Sequence, residues 1–442
     1  MTGWRVAPTL RRSGVLAVGL VVGGLVTGRL DAVVLGAPLG LGLLLAIIAG
    51  HPRTVPEAAA GTPRLLAEGA TAPVAVRVAR GRSAQAVVVR VLAGGSDPGP
   101  HTRVVSGARA ADGFGLGVAG LRWGRRLVAQ ADTLAVGPDG AFLAGPTAGA
   151  EHWATVLPGL DPMAAIPAPA RPAGLVGSHR TRRPGDGSDL HDVREFVAGD
   201  RLRRIDWKVT ARHGGAQRAL YVRRTLVDAD ADVVLALDTR VDLGADAAEW
   251  SGLRGRAALG QGAGARPGGS LDVAVRAAAS LAQTHLRQGD RVAVDEIGRA
   301  GLLVRSGSGR RHLVVVRLAL AGCSATSGTR SVLTRAASVP AGATVYLLSP
   351  FVDADAADLA AALARRGVGV VALDTLPAPV TPDRTAPGGE LALRLLLAER
   401  ADRLRGLAEH GVALLRWDPA AIVPVLRRRR LGSHSVAAGL SR

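Results

Sequence analysis

Two uncharged apolar runs near the N-terminus place the strongest limit on how this chain can fold. The first, at residues 13–28, reads SGVLAVGLVVGGLVTG, and the second, at residues 32–50, reads AVVLGAPLGLGLLLAIIAG. As helices they would span roughly 24 and 28 Å at about 1.5 Å per residue, against a hydrocarbon core of roughly 30 Å. Because only a short turn with Arg29 and Asp31 separates the runs, they predict a transmembrane hairpin within residues 1–55.

Cations flank this hairpin on both sides. Arg5, Arg11 and Arg12 precede it, and Arg53 and Arg64 follow it. The positive-inside rule therefore predicts that both ends, and the soluble part of the chain, lie in the cytoplasm. A cleaved signal peptide covering the first run and a pair of buried helices in a soluble protein remain open as alternatives. The second apolar run, which follows at once, disfavours a signal peptide.

A β-rich domain is predicted at residues 60–157, because the sequence changes to a period of two from about residue 70 to residue 145. The stretches APVAVRVAR, AQAVVVRVLAGG and TRVVSGARA alternate apolar with polar or charged residues, and clusters of Gly, Pro and Asp separate them. This pattern predicts a small antiparallel domain similar to a β-sandwich. Five prolines within residues 158–172 predict a linker at residues 158–173.

The charge balance raises the question of nucleic-acid binding. Lys and Arg number 55 against 36 Asp and Glu, which gives a net charge of +19. Such a balance is typical of nucleic-acid-binding proteins, but the arginines are spread along the chain, and the abundance of Ala, Gly and Arg is typical of a GC-rich coding sequence. Cys323 is the only cysteine, which excludes a disulfide framework and a cysteine-based zinc site.

Acids and arginines are closely mixed in a short stretch, REFVAGDRLRRIDWKVTAR, at residues 194–212. A phosphate-binding surface would usually lack the acids, so the mixture favours local ion pairs between guanidinium and carboxylate groups. Gly199 and Asp200 predict a turn, because glycine can supply a positive φ there. Trp207 is interpreted as an anchor that packs onto a neighbouring sheet. The signature segment, defined as residues 174–230, has these candidate structural or interaction residues: Arg194, Glu195, Gly199, Asp200, Arg204, Asp206, Trp207 and Arg212.

This stretch resembles the domain of unknown function 58 family of membrane-associated proteins. The matching features are GDGSDL at residues 185–190, Arg194-Glu195-Phe196, Gly199-Asp200, Arg203-Arg204-Ile205-Asp206-Trp207 and Ala211-Arg212. Leu190 stands where the family commonly has an aromatic residue. The resemblance covers residues 174 to about 376, and the two apolar runs and the β-rich section suit the family's usual layout. It implies a fold similar to von Willebrand factor type A domains, and a MoxR-type AAA+ ATPase as the partner.

Strand and helix patterns alternate after residue 230. Strands are predicted at residues 231–238, 291–298, 343–349 and 369–375, helices at 271–288, 310–322 and 353–367, and a helix, a strand and a short helix within 389–430. Alternation of this kind predicts an α/β fold with a doubly wound parallel sheet over residues 231–430. The Gly- and Ala-rich stretch at 243–270 is interpreted as a disordered insertion, and residues 431–442 as a tail.

The first of these strands ends in Asp238-Thr239-Arg240-Val241-Asp242. Von Willebrand factor type A domains often bind Mg²⁺ here through an Asp-x-Ser-x-Ser pattern, whose serines this chain lacks. Arg240 would place a cation beside the metal, so we expect no metal and no cofactor, and an ion pair between Arg240 and Asp238 in its place. A Mg²⁺ site that Asp242 completes remains the alternative. Asp238, Arg240 and Asp242 are thus the positions of a degenerate metal site.

The sequence as a whole predicts a membrane-anchored protein-interaction module and not an enzyme. No P-loop, nucleophile elbow or H-E-x-x-H motif is present, and we assign no catalytic residue. The resemblance implies an adaptor for a MoxR-type ATPase. Two alternatives remain: a hydrolytic site built from His191, Glu195, Asp200 and Asp206, and nucleic-acid binding through the arginine-rich surface.

Overall fold

The chain divides into two compact units, Met1–Leu157 and Pro158–Arg442. The structure, a computed structural model, describes residues 3–50, 52–96, 99–163, 179–213, 219–229, 231–250, 265–297, 302–325 and 342–418, together with Val339 and Pro424. The helices are α1 Pro8–Thr27, α2 Leu30–Ala49, α3 Trp207–His213, α4 Ser270–Arg287, α5 Gly309–Ala321, α6 Asp355–Arg365 and α7 Gly389–Glu409. The strands of the first unit are β1 Arg5–Val6, β2 Glu57–Gly61, β3 Leu65–Ala67, β4 Ala72–Ala79, β5 Ala86–Ala93, β6 Pro100–Ser106, β7 Phe114–Val118, β8 Gly124–Val136, β9 Phe142–Thr147 and β10 Glu151–Leu157. Those of the second are β11 His179–Glu195, β12 Tyr221–Ala229, β13 Asp232–Asp238, β14 Arg291–Ile297, β15 Leu302–Gly307, β16 Thr344–Ser349, β17 Gly369–Asp374 and β18 Ala413–Arg416.

The apolar runs form two closely packed helices, both long and apolar enough to cross a membrane. α1 begins at Pro8, ahead of the uncharged run, because proline suits the first turn of a helix. It ends at Gly28, whose φ of +69° is the left-handed conformation that glycine adopts readily. A Cβ added to Gly36 would lie only 3.0 Å from Leu20 Cβ, so the absence of a side chain there lets the two helices approach.

The β-rich part of the first unit consists of two sheets around one core. Seven strands form a sheet in the order β1-β9-β8-β10-β3, with β5 joined to β8 and β6 joined to β5, and β2-β4-β7 form a second sheet. Alternate residues such as Val74 and Val76 on β4 and Val87 and Val89 on β5 meet in one buried cluster. The predicted alternation therefore holds.

Two pairings in this unit differ from the prediction. β3 runs parallel to β10, whereas the pattern predicted antiparallel pairing throughout. β1 lies before α1 and pairs with β9 through Arg5 opposite Leu143 and Val6 opposite Phe142. A strand of two residues is too short to show a period of two, so no sequence pattern indicated it.

The second unit is centred on a six-stranded sheet in the order β15-β14-β13-β16-β17-β18. β14, β13, β16, β17 and β18 are parallel to one another. β15 is antiparallel to β14, which corrects the prediction of an entirely parallel sheet. The strand follows β14 closely in sequence, and only antiparallel neighbours can be joined by so short a connection.

Helices cover this sheet because its central strands are apolar on both faces. Val234 and Ala236 of β13 lie in one buried cluster with Leu359 of α6 and Leu407 of α7. Residues that alternate with these face the other side, where α4 packs against β13, β14 and β16. The carboxyl ends of β13 and β16 therefore lie together, at the point where the strand order reverses, which is where ligands bind in many open parallel sheets.

The ends of the stretch that was interpreted as a disordered insertion are ordered. The Leu243 N–H donates to Ser270 Oγ at 2.9 Å, and the Ser270 N–H donates to Leu243 O at 2.8 Å. The Ala247 N–H donates to Thr381 O at 2.9 Å. The interpretation is therefore wrong for residues 243–250 and 265–270, since these backbone groups are paired. Residues 251–264 lie outside the described residues.

The predicted linker also begins in contact with the second unit. Arg317 of α5 donates to Pro158 O at 2.7 Å, and the Asp161 N–H donates to Ser280 Oγ of α4 at 2.9 Å. These contacts fasten the start of the proline-rich stretch to two helices. Residues 164–173 of the predicted linker, the short helix predicted near residue 424 and the tail lie outside the described segments, apart from Pro424 itself.

Candidate functional site

The turn predicted in the signature segment forms, and Asp200 holds it together. Gly199 has φ +106°. Asp200 accepts hydrogen bonds from Arg194 Nη2 at 2.7 Å and from the Val197 N–H at 2.9 Å. Arg194 also donates to Glu195 O at 2.8 Å. One carboxylate therefore pairs with a guanidinium and closes the backbone turn between β11 and the next element.

Asp206 plays a second, separate role at the beginning of α3. Its Oδ1 accepts the N–H groups of Lys208 and Val209 at 3.1 and 3.2 Å, as an N-terminal capping carboxylate does. Arg223 of β12 lies 3.3 Å from its Oδ2. The Asp206 N–H donates to Tyr221 O at 2.8 Å. Asp206 thus joins α3 to β12.

A third ion pair joins the two strands of the hairpin. Arg224 of β12 binds Asp192 of β11 with two guanidinium nitrogens, and Nε lies 2.7 Å from Oδ1. Planar pairing of this kind fixes orientation as well as distance. The local ion pairs predicted for the segment are therefore present, with Arg223 and Arg224 as partners that the sequence alone did not indicate.

Trp207 does not anchor the segment, and this interpretation is wrong. Its side chain is 66% exposed, because it occupies the first position of α3 while Asp206 turns inward. Leu202 and Val197 are also largely exposed. The buried contact that the sequence assigned to Trp207 is made instead by Ile205, which bridges to Val222 of β12.

The hydrolytic arrangement proposed as an alternative is not assembled by these contacts. Asp200 and Asp206 are bound by different partners, Glu195 is exposed, and the side chain of His191 lies outside the described residues. The Val197 N–H, and then Arg194, lower the pKa of Asp200 against the opposing effect of burial. The Val209 N–H, and then Arg223, lower the pKa of Asp206 in the same way. Both carboxylates stay ionised at neutral pH, which suits a structural pair and not a general acid.

We predict that the signature segment loosens in acid. A carboxylate whose pKa is lowered by folding contributes stability above its ordinary value of 3.8, and this contribution is lost as the pH falls below that value. Hydrogen exchange of peptides covering residues 194–212, corrected for the intrinsic rate, should therefore accelerate below about pH 4. In the Asp200→Asn, Asp206→Asn double variant the acceleration should be absent, and an unchanged acid transition there would contradict the assignment.

A second polar cluster lies at the carboxyl ends of β13 and β16. Ser349 Oγ donates to Asp238 Oδ2 at 2.7 Å, and the Phe351 N–H donates to Ser349 Oγ at 3.0 Å. Arg240 Nε and Nη2 lie 2.9 and 3.0 Å from the two oxygens of Asp238. The ion pair expected between Arg240 and Asp238 is thus present, and it is closed by a serine hydroxyl.

Arg240 also reaches two acids before and at the beginning of α6. Its Nη2 lies 3.0 Å from Asp353 Oδ1, and its Nη1 lies 2.7 Å from Asp355 Oδ2. Burial opposes the guanidinium charge, but the hydrogen bonds that Arg240 donates to Asp238 and Asp353, together with the charges of these two acids, outweigh burial and raise the pKa of Arg240. A guanidinium therefore fills the space between these carboxylates, and this arrangement does not fit a divalent cation.

Asp242 faces a different environment. Its two oxygens accept the Arg266 N–H at 2.6 Å and the Leu271 N–H at 3.1 Å, so it caps the beginning of α4. In the part of the chain that the structure describes, no group of three His, Cys, Asp or Glu side chains is placed to hold a metal ion.

A buried polar chain at the opposite end of the sheet was missed by sequence reasoning. His285 Nδ1 lies 2.7 Å from Asp290 Oδ2, and His285 Nε2 lies 3.1 Å from the Tyr346 hydroxyl. All three side chains are buried. His285 and Asp290 lie near each other in sequence across the end of α4, but this spacing alone is only a weak indication that they are in contact. Tyr346 is distant in sequence, so its contact with His285 could not be predicted.

The fold and these contacts define the class of protein to which the chain is similar. It has two N-terminal helices able to span a membrane, a β-rich unit, and an α/β unit preceded by an ion-paired hairpin. Residues 192–247 match the model of the family described as "Protein of unknown function DUF58", and the family resemblance is therefore confirmed. The matched residues contain the three ion pairs of the signature segment and the Asp238–Arg240 pair. No curated protein matches the chain.

Proposed function

We propose that this chain is a membrane-anchored adaptor that docks a MoxR-type AAA+ ATPase on its cytoplasmic second unit and catalyses no reaction itself. The observation that carries the proposal is the signature segment. Asp200 and Asp206 are bound by groups of the segment itself, while Trp207 is displayed on the surface. A rigid segment with an exposed tryptophan is typical of a protein-binding surface, because tryptophan dominates many interfaces.

The topology of the second unit supports a likeness to von Willebrand factor type A domains. Numbered from β13, the strand order is 3-2-1-4-5-6, with the third strand antiparallel at the edge. We propose that this unit is the platform on which the ATPase docks. In this chain Arg240 takes the position expected for the metal, so the platform we propose works without Mg²⁺ or another cofactor.

The charges around the hairpin support a cytoplasmic location for both ends. Arg11 and Arg12 lie in the first turns of α1, and Arg53 and Arg64 follow α2. Such cations favour the cytoplasmic side. We therefore propose a chain with two membrane spans and both soluble units in the cytoplasm.

Affinity purification of the full chain from its native membranes in mild detergent tests the adaptor role. A MoxR-type AAA+ ATPase should be enriched with the wild-type chain, and about tenfold less should be recovered with Trp207→Ala, since surface tryptophans that become buried in an interface are frequent hot spots. Trp153→Ala removes a partly exposed tryptophan from the first unit and should leave recovery unchanged. If no AAA+ protein is enriched with the wild-type chain, the proposal is wrong.

A further inference from the structure

We propose that a cleft beside Trp207 binds glutamate or aspartate side chains of an acidic, apolar-flanked peptide segment in the partner protein. The cleft has a volume of about 240 Å³ and is lined by Arg203, Arg204, Ile205, Asp206, Trp207 and Arg223. The inference rests on the proposed function, because it names the chemistry of the segment that an adaptor would recognise.

The charge of the cleft follows from how the acids of the segment are used. Asp200 pairs with Arg194 and Asp192 pairs with Arg224, so neither lines the cleft. Asp206 is the one carboxylate in the lining, which also contains three arginines. The lining therefore carries a net positive charge, which is complementary to carboxylates.

Two of the three arginines are positioned to receive a ligand. Arg203 is exposed and forms no ion pair with any residue that the structure describes. Arg223 keeps 57% of its side chain exposed while it contacts Asp206 at 3.3 Å. Guanidinium groups bind carboxylates with two parallel hydrogen bonds, and an arginine already oriented by Asp206 loses little freedom when it binds.

The indole gives the cleft an apolar side. Trp207 is 66% exposed although α3 holds its backbone in place through the Asp206 cap. An ordered aromatic side chain beside cations can bind an apolar residue that neighbours a carboxylate, at small cost in conformational entropy. This combination favours a peptide in which acidic and apolar residues are adjacent.

A carboxylate in the lining favours a peptide over a phosphate-bearing partner. Asp206 stays ionised because the Val209 N–H and then Arg223 lower its pKa. It would repel a phosphate group, which carries a charge of about −1.5 to −2, more strongly than a carboxylate with a single charge. Lipid headgroups and nucleic-acid backbones are therefore the less suitable occupants.

Direct titration of the full chain in detergent tests the cleft. The probe is a fluorescein-labelled peptide of glutamates interrupted by phenylalanine and leucine, and its twin has glutamine at every glutamate. The acidic peptide should bind, and the twin should bind at least about tenfold more weakly. Arg203→Gln and Trp207→Ala should each weaken the acidic peptide by about tenfold. Arg310→Gln makes the same charge change at an exposed position of α5 and should have no effect.

Other outcomes overturn the inference. Equal binding of the two peptides would do so, as would binding that survives both cleft variants. If the variants instead weaken binding to phosphatidylglycerol vesicles but not to the peptide, the cleft recognises lipid. If wild type and Arg203→Gln capture the ATPase equally, the proposed role of the cleft is wrong while the adaptor role is supported. If the peptide binds through the cleft and no ATPase is captured, the adaptor role is wrong while peptide binding by the cleft is supported.

Discussion

Arg240→Met is expected to lower the free energy of unfolding of the second unit by about 3–5 kcal/mol, the cost of removing one partner of a buried ion pair. The side chains of Arg240 and Asp238 are 8% and 2% exposed. Removal of the guanidinium leaves the Asp238 carboxylate buried with a serine hydroxyl as its remaining side-chain partner. Asp353 and Asp355 are about half exposed, so water can solvate them in the variant. The loss of their contacts with Arg240 therefore adds little to the loss of stability.

Denaturant unfolding of the full chain in detergent, with hydrogen exchange of β13 peptides as the readout for the second unit, measures this effect. Arg291→Met is the matched control, because Arg291 and Asp232 form a pair at 3.5 Å whose side chains are 49% and 25% exposed. Its effect should stay below about 1 kcal/mol. Adding Asp238→Asn to Arg240→Met should recover part of the loss, since no charge is then left unpaired. Similar losses in Arg240→Met and Arg291→Met would contradict the argument.

Asp290→Ala is expected to destabilise the same unit by about 3 kcal/mol, since two buried donors lose their acceptor at about 1–3 kcal/mol each. These donors are His285 Nδ1–H at 2.7 Å and the Ala231 N–H at 3.3 Å. Burial, and then the charge of Asp290, raise the pKa of Tyr346. The Tyr346 hydroxyl therefore stays protonated, and it lies 3.1 Å from His285 Nε2.

Two conservative variants separate the contributions of the individual hydrogen bonds among His285, Asp290 and Tyr346. Asp290→Asn keeps an acceptor for the imidazole and should cost clearly less than Asp290→Ala. Tyr346→Phe removes one hydrogen bond and should cost about 1 kcal/mol. Thermal unfolding of the full chain can rank the three variants. Equal losses for alanine and asparagine at position 290 would show that the hydrogen bonds are not what stabilises this end of the sheet.

The sequence predicted the α/β unit well because its elements are set by local patterns. Apolar runs ended by a single acid became β13 and β17, and amphipathic periodicity became α4 and α6. These signals lie within one element. β15 could not be found in this way, since its pairing depends on the neighbouring β14 and not on a pattern of its own.

The candidate sites were predicted less completely, because a side chain's direction depends on contacts distant in sequence. The presence of ion pairs in the signature segment could be predicted from the mixture of charges. That Asp206 turns inward and Trp207 outward is decided by Arg223 and Tyr221, across the hairpin. The pairing of Arg240 with Asp238 could be predicted because the two residues are only two positions apart in the sequence. Its contacts with Asp353 and Asp355 depend on how the sheet brings β13 beside β16.

The short strand β1 has a consequence for how the first unit is made. β1 precedes the helical hairpin and pairs with β9, which follows it, and Trp4 Nε1 donates to Thr54 O at 3.0 Å across the two ends of the hairpin. A single membrane crossing would put these partners on opposite sides of the bilayer, where they could not meet. If α1 and α2 cross a membrane, they must therefore cross it as a pair, because the seven-stranded sheet is complete only when β1 and β9, which lie on the two sides of the hairpin in sequence, meet.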